Sequence, residues 1–317
     1  MIAESFLLGS YKKSEVLLVV AAVCLAGCLG RPSYDREPVR LDAKWCSLGT
    51  SITWYNSCAG GKFWRGYQDR VLDRLDFAAF SNRGVNGGCI ASAIRVVETA
   101  DVYTVEHGVN DWGRGVKVGR MADYLNDTGD RTFFGAYRKV VDRMRACNPK
   151  AAVVLCTPRK SYGFGTYLPA KWSDPNKGTY LEDYVKAVRT IAEHEGFEVA
   201  DFFAKCGEQE ELSSLSIDVA LHPNDAGYAR MADELVPAMV RAMEKRGLFV
   251  PSTRPVDAAK VFKPLDAAGQ VRQYVRKDGT VVTHNLTGAD YRMADGYVIP
   301  AYGVRIDRNK KRGNSRD

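Results

Sequence analysis

Four short blocks of the sequence carry the residue types that nucleophilic chemistry on an acyl group requires. The first is Ser47-Leu48-Gly49-Thr50-Ser51-Ile52-Thr53, where an apolar run meets a glycine-bounded turn. A serine there presents its hydroxyl beyond the end of a strand. The second is Asn82-Arg83-Gly84-Val85-Asn86-Gly87-Gly88. Its glycines let the backbone approach a ligand and offer it an N–H. The third, His107-Gly108-Val109-Asn110-Asp111, supplies an asparagine amide that can donate to a developing oxyanion. The fourth, Asp218-Val219-Ala220-Leu221-His222-Pro223-Asn224, supplies a histidine arranged as a base just ahead of a helix. A base of this kind activates a weak hydroxyl nucleophile, while aligned donors stabilise the tetrahedral oxyanion.

These blocks need a scaffold that brings them together. Strand patterns occur at Trp45–Leu48, Phe77–Phe80, Val102–Val105, Ala152–Cys156 and Phe197–Ala200. Helical spacing occurs at Phe63–Leu75, Thr132–Cys147, Tyr180–His194 and Asp225–Arg246, the last closed near Gly247. Strand-then-helix alternation predicts a doubly wound parallel sheet, a three-layer α/β/α sandwich. Ligands of such sheets sit beyond the C-terminal ends of the strands, where all four blocks fall. After Pro251 the pattern changes to a turn at Lys277-Asp278-Gly279 and short strands at Thr280-Val281-Val282 and Tyr297-Val298-Ile299. Residues 249–317 therefore read as a small C-terminal extension with β character and a basic tail.

In this order the blocks resemble the SGNH hydrolases, also called the GDSL esterase/lipase family, over about residues 44–246. The resemblance implies that Ser51 is the nucleophile and His222 the general base. It implies an oxyanion hole made of the Ser51 N–H, the Gly87 N–H and the Asn110 side chain, with Gly84 the alternative in the same loop. Two departures stand out. Thr50 occupies the place of the family aspartate before the nucleophile. Val219 stands three residues before the histidine, where the family acid belongs, and Asp218 lies four before. Either Asp218 reaches the ring through a one-residue bulge, or a Ser-His dyad works with a backbone carbonyl. Trp112 and Trp54 are the expected substrate-binding aromatics. The G-x-S-x-G elbow is absent, because position 53 is Thr, which argues against the α/β-hydrolase fold.

Lys12 and Lys13, the apolar run Val16–Leu25 and the ending Leu25-Ala26-Gly27-Cys28 form a secretory signal that resembles a bacterial lipobox. The run is too short for a permanent membrane span. The expectation is a signal peptide over 1–27, lipidation of Cys28, a polar tether over 28–43 and a hydrolase domain over 44–248. Leu29 in the second position favours the outer membrane of a bacterial envelope. The formal net charge of +7 raises the question of a polyanion partner. The tail from Arg305 to Asp317 holds six basic and two acidic residues, so the body is nearly balanced and nucleic acid is not expected.

The remaining candidates take structural readings. His107 sits at a strand end, Asp111 caps or orients its loop, and Asp201 is a structural carboxylate after a strand. His194 and His284 read as surface residues. Cys46 and Cys156 read as buried thiols, and export permits a disulfide between Cys58 and Cys89. No Cys/His zinc spacing occurs, and the fragments Gly60-Gly61-Lys62 and Gly113-Arg114-Gly115 complete no nucleotide loop. The expected protein is an exported, lipid-anchored esterase with an acyl-enzyme and no metal or organic cofactor. Its expected substrate is a small-molecule or glycan ester such as an acetylated polysaccharide. The rivals are a lipase or lysophospholipase, and an inactive glycan-binding lipoprotein.

Overall fold

The computed structural model describes residues 39–54 and 66–250, and in the C-terminal part 263–266, 271–275, 281–285, 289–299 and 304–307. The signal segment, Cys28, the first part of the tether, Cys58 and the expected turn at 277–279 lie outside the described residues.

Five parallel strands build the central sheet: β1 (Val39–Gly49), β2 (Leu75–Gly84), β3 (Val102–Glu106), β4 (Ala152–Cys156) and β5 (Glu198–Ala200). Their spatial order is β2-β1-β3-β4-β5. The chain thus steps one way from β1 to β2 and the other way from β3 onward, which opens a crevice at the switch point. Strands β3 and β4 are buried along their whole length, as central strands covered on both faces must be. The register aligns Gly84 with Gly49, Gly49 with Glu106, Glu106 with Cys156 and Cys156 with Ala200. All five strands therefore end in one row, and every following loop starts from the same edge.

Three long helices cover the sheet. One spans Phe133–Cys147, buries Phe133, Tyr137, Val140, Val141 and Met144, and is capped by Thr132, whose side chain accepts from the Gly135 N–H. Another spans Leu181–Glu195 and ends at Gly196, held at φ 68°, the left-handed cap that lacks a Cβ penalty. The third spans Asp225–Lys245 and is capped by Asn224. Among the described residues no helix is long and apolar enough to cross a membrane.

The limits of some elements differ from the sequence reading. β1 starts at Val39, inside the expected tether, because Val39 pairs with Leu75 across the sheet. The helix expected over Phe63–Leu75 spans Tyr67–Leu72, since Leu75 is claimed by β2. In the C-terminal part, a four-stranded antiparallel sheet runs in the order Val304–Asp307, Val281–Asn285, Val271–Val275 and Lys263–Pro264, with a separate pair of short strands at Tyr291–Arg292 and Val298–Ile299.

Candidate active site

Ser51 opens a single helical turn, Ser51–Trp54, directly after β1. The turn is tight enough that only glycine fits at position 49. A Cβ there would stand 1.9 Å from Thr53 Oγ1 and 3.0 Å from Glu106 Oε2. As the first residue of the turn, Ser51 has an N–H with no preceding helical carbonyl to bond. The Ser51 Oγ lies 3.0 Å from His222 Nε2 across 171 residues of sequence.

The histidine loop resolves the offset acid. Ser216 and Pro223 form an antiparallel bridge, and Ile217 N–H donates to the His222 carbonyl at 2.9 Å. Asn224 N–H donates to the Leu215 carbonyl at 2.9 Å. These rungs close a tight loop over Asp218–Leu221, which turns the Asp218 carboxylate back over His222. One carboxylate oxygen accepts the His222 main-chain N–H at 2.8 Å, and the other bonds ring Nδ1. The fourth residue of spacing is thus absorbed in the loop. Partial burial pushes the Asp218 carboxyl up, but the ring and main-chain bonds from His222 outweigh it and hold it below the usual range.

The second block is tied to the first. Val85 N–H donates to the Gly49 carbonyl at 2.8 Å, and Asn82 Nδ2 donates to the Thr53 carbonyl at 2.8 Å. Two of its three glycines have committed N–H groups: Gly84 donates to Asn82 Oδ1 at 2.9 Å and Gly88 to the Val85 carbonyl at 2.8 Å. Gly87, held at φ 67°, has no acceptor for its N–H among the described residues. Between the two oxyanion alternatives, the loop geometry thus favours Gly87 over Gly84. Asn110, in the short helix Val109–Arg114, is buried, and its Nδ2 donates to the Gly88 carbonyl at 3.0 Å. One amide hydrogen remains for a ligand.

Two residues that no motif marked support these groups. The first is Glu106, the last residue of β3. Its Oε2 accepts from Thr50 Oγ1 at 2.8 Å, Thr50 N–H at 3.1 Å and Thr53 Oγ1 at 3.2 Å. Thr50 therefore uses its hydroxyl to recruit a carboxylate from the neighbouring strand, which accounts for the missing aspartate. Thr53 Oγ1 in turn meets Tyr67 OH at 2.7 Å, and Tyr67 OH meets Ser47 Oγ at 3.0 Å. The second is Arg159, fully buried after β4. Its Nη2 reaches Ser216 Oγ at 3.0 Å and the carbonyls of Ala220 and Leu221 at 3.1 Å each. The guanidinium thereby braces the loop that carries Asp218 and His222. A single charged contact inside one strand pair and a brace from a remote loop leave no local pattern, so sequence spacing gives no sign of either.

Burial pushes the Glu106 carboxyl up to about 7, against the pull of the Thr50 and Thr53 bonds. A raised folded value means that the folded protein holds this proton more tightly than the unfolded chain. The contribution is complete below about pH 4.5, the carboxyl's ordinary value, and is lost as pH rises through 7. Stability should fall by on the order of 3 kcal/mol over that interval from this group. Glu106→Gln should flatten that part of the profile, as measured by denaturant unfolding from pH 4 to 8. An unchanged slope would show that Glu106 titrates alike in the folded and unfolded protein. Asp111, also raised to about 7 by burial, adds a slope of the same sign that the substitution leaves in place.

Other sequence expectations meet the structure differently. Trp112 is a correction: it is fully buried and donates from Nε1 to the Thr179 carbonyl at 3.1 Å, so its ring packs in the interior and does not meet substrate. The helix turns this side chain away from Asn110 and inward. Trp54 is half-buried on the nucleophile turn. His107 is completely buried, and burial pulls its pKa to about 3, leaving a neutral ring. Asp111 accepts the Ile90 N–H with both oxygens at 3.2 Å and so caps the turn that follows Cys89. Asp201 accepts from Thr157 Oγ1, Arg189 and the Ala204 N–H. Cys46 and Cys156 are buried free thiols, and Cys89 is a half-buried one. Apolar side chains rim the histidine: Phe164 meets the His222 ring edge-on at 5.7 Å, and Phe164, Ile217 and Val219 are exposed.

A doubly wound parallel sheet with a serine, a histidine and an acid at its C-terminal edge defines an ester hydrolase of the SGNH type. Residues 47–230 match the GDSL-like lipase/acylhydrolase family, and the chain belongs to it. The fold is similar to that of a possible lipase from Chitinophaga pinensis DSM 2588, which is 24% identical with a TM-score of 0.54 over 65% of this chain and 100% of that one. A protein from Lactobacillus plantarum is also 24% identical, with a TM-score of 0.53 over 62% of this chain and 95% of that one. At such identity the likeness carries the fold, not the substrate. No curated protein sequence matches the chain.

Proposed function

We propose that the protein hydrolyses carboxylic esters through an acyl-enzyme on Ser51. His222 takes the Ser51 proton and later gives it to the leaving alcohol, and Asp218 orients the ring and stabilises its charged form. The Ser51 N–H, the Gly87 N–H and Asn110 Nδ2 receive the oxyanion. The observation that carries this reading is the 3.0 Å contact of Ser51 Oγ with His222 Nε2, with Asp218 bonded to the opposite ring nitrogen. That arrangement fixes the tautomer whose Nε2 accepts the Ser51 proton. The same bonds count against an inactive glycan-binding protein, since the acid that seemed displaced is in contact with the ring.

The proposed setting is the bacterial envelope, with Cys28 lipidated and outer-membrane attachment, on the strength of the Lys12-Lys13, Val16–Leu25 and Leu25-Ala26-Gly27-Cys28 pattern. There the proposed substrates are acylated glycans, acetyl esters first. A lipase or lysophospholipase reading is favoured by one observation, the apolar rim of Phe164, Ile217 and Val219 around His222. A panel pairing acetylated sugars with short-to-long acyl esters separates the two. The purified protein should release nitrophenol from a short-chain p-nitrophenyl ester and be labelled by a fluorophosphonate. Failure of both overturns the esterase reading. Palmitate incorporation that Cys28→Ala leaves intact overturns the lipoprotein reading.

A further inference from the structure

We propose that Tyr167 is a positioning residue of the oxyanion hole, holding the Asn110 amide so that its nitrogen, not its oxygen, faces the reacting carbonyl. The inference rests on the assignment of Ser51 and Asn110 above. An asparagine side chain has two ends of similar shape, and only one donates. At Asn110 both ends are read by neighbours. Nδ2 donates to the Gly88 carbonyl at 3.0 Å. Oδ1 accepts from Tyr167 OH at 3.0 Å, and the same hydroxyl lies 3.1 Å from the Asn110 main-chain carbonyl. Turning the amide over would give up the Tyr167 O–H bond to Oδ1 and set the amide oxygen against the Gly88 carbonyl, a repulsive contact in a buried place, where an unmet polar group is costly.

Arg114 lies close to the phenol: its Nη2 donates to the Gly87 carbonyl at 2.9 Å, and its positive charge acts on the Tyr167 hydroxyl. One cation therefore steadies the Gly87 peptide beside the tyrosine that orients Asn110. Burial raises the Tyr167 pKa, so the hydroxyl remains a donor at every working pH. The long connection after β4 brings Tyr167 to this place. Asn176 Nδ2 donates to the carbonyls of Trp112 and Tyr167 at 3.1 Å each. Gly113 makes room for the ring, since a Cβ there would stand 2.4 Å from Tyr167 Cζ.

A double-mutant cycle on Tyr167→Phe and Asn110→Ala tests the proposal with a short-chain p-nitrophenyl ester. Tyr167→Phe should lower kcat about tenfold and leave KM within twofold, the mark of an interaction made in the transition state. Asn110→Ala should lower kcat by roughly 100-fold or more. The double variant should be no slower than Asn110→Ala alone, because Tyr167 acts only through Asn110. Additive losses, an unchanged kcat in Tyr167→Phe, or a change confined to KM overturn the proposal. A second readout does not need turnover. The Asn110 side-chain amide protons, identified by their absence in Asn110→Ala, should exchange with solvent faster in Tyr167→Phe, and unaltered shifts and exchange also overturn it. Wild-type protein without esterase activity would instead defeat the assignment of Ser51, while the amide exchange still decides the role of Tyr167.

Discussion

The Ser51→Ala protein is expected to fold as the parent does and to lose ester turnover by about 10⁴-fold to 10⁶-fold in kcat, with no fluorophosphonate labelling. The substitution removes the atom that bonds the acyl carbon, so no acyl-enzyme forms. What remains is the oxyanion hole and the binding of substrate, which together retain a fraction of the acceleration over water. The structural cost is small. Among the described residues the Ser51 side chain makes one hydrogen bond, to His222, and a lost bond of this kind costs about 1 kcal/mol. The melting temperature should therefore shift by only a few degrees, which separates lost chemistry from lost fold. Turnover of the variant within tenfold of the parent would place the nucleophile elsewhere.

The second large effect is expected from Asp218→Asn, at about 10³-fold to 10⁴-fold in kcat with KM nearly constant. The carboxylate meets two donors, the His222 main-chain N–H at 2.8 Å and ring Nδ1. An asparagine offers one oxygen and one NH2 in the same place, so it cannot accept from both. If the oxygen keeps the main-chain N–H, the NH2 faces Nδ1 and the ring proton moves to Nε2. A protonated Nε2 points its hydrogen at Ser51 Oγ and cannot act as a base. Steady-state kinetics across pH 6 to 9 check this. A loss below tenfold would mean that the dyad alone does the work and that Asp218 serves the loop.

Much of this was legible in the sequence, for a physical reason. A strand with both faces buried reads as a continuous apolar run, as Ala152–Cys156 does, and Val102–Val105 is interrupted only by Thr104. The four blocks are local, so Ser51, Asn110 and His222 were identifiable from their own neighbours. The Ser51–His222 contact is not local, but alternation of strand and helix makes the strands parallel, and parallel strands bring the loops that follow them to one edge. What stayed hidden depends on partners far away in the chain. Glu106 looks like an ordinary strand-end acid until β1 is paired beside β3. Arg159 and Tyr167 lie in the long stretch between β4 and the Leu181–Glu195 helix, where no period marks a face. Trp112 was read as a substrate contact because it follows Asn110. A helix turns successive side chains by about 100°, which sends it inward.

The long helix Asp225–Lys245 has a consequence for when the protein becomes reactive. Tyr228 OH donates to the Ile52 carbonyl at 2.9 Å, and Asp225 pairs with Arg70. The helix that follows the base thus clasps the turn that carries the serine, although the two are separated by most of the domain. A chain that lacks this docking has an ordinary hydroxyl at position 51 and an untethered imidazole at position 222. Reactivity is therefore a late property of assembly. The serine and its base come within reach of each other only once the last large helix has closed onto the first turn.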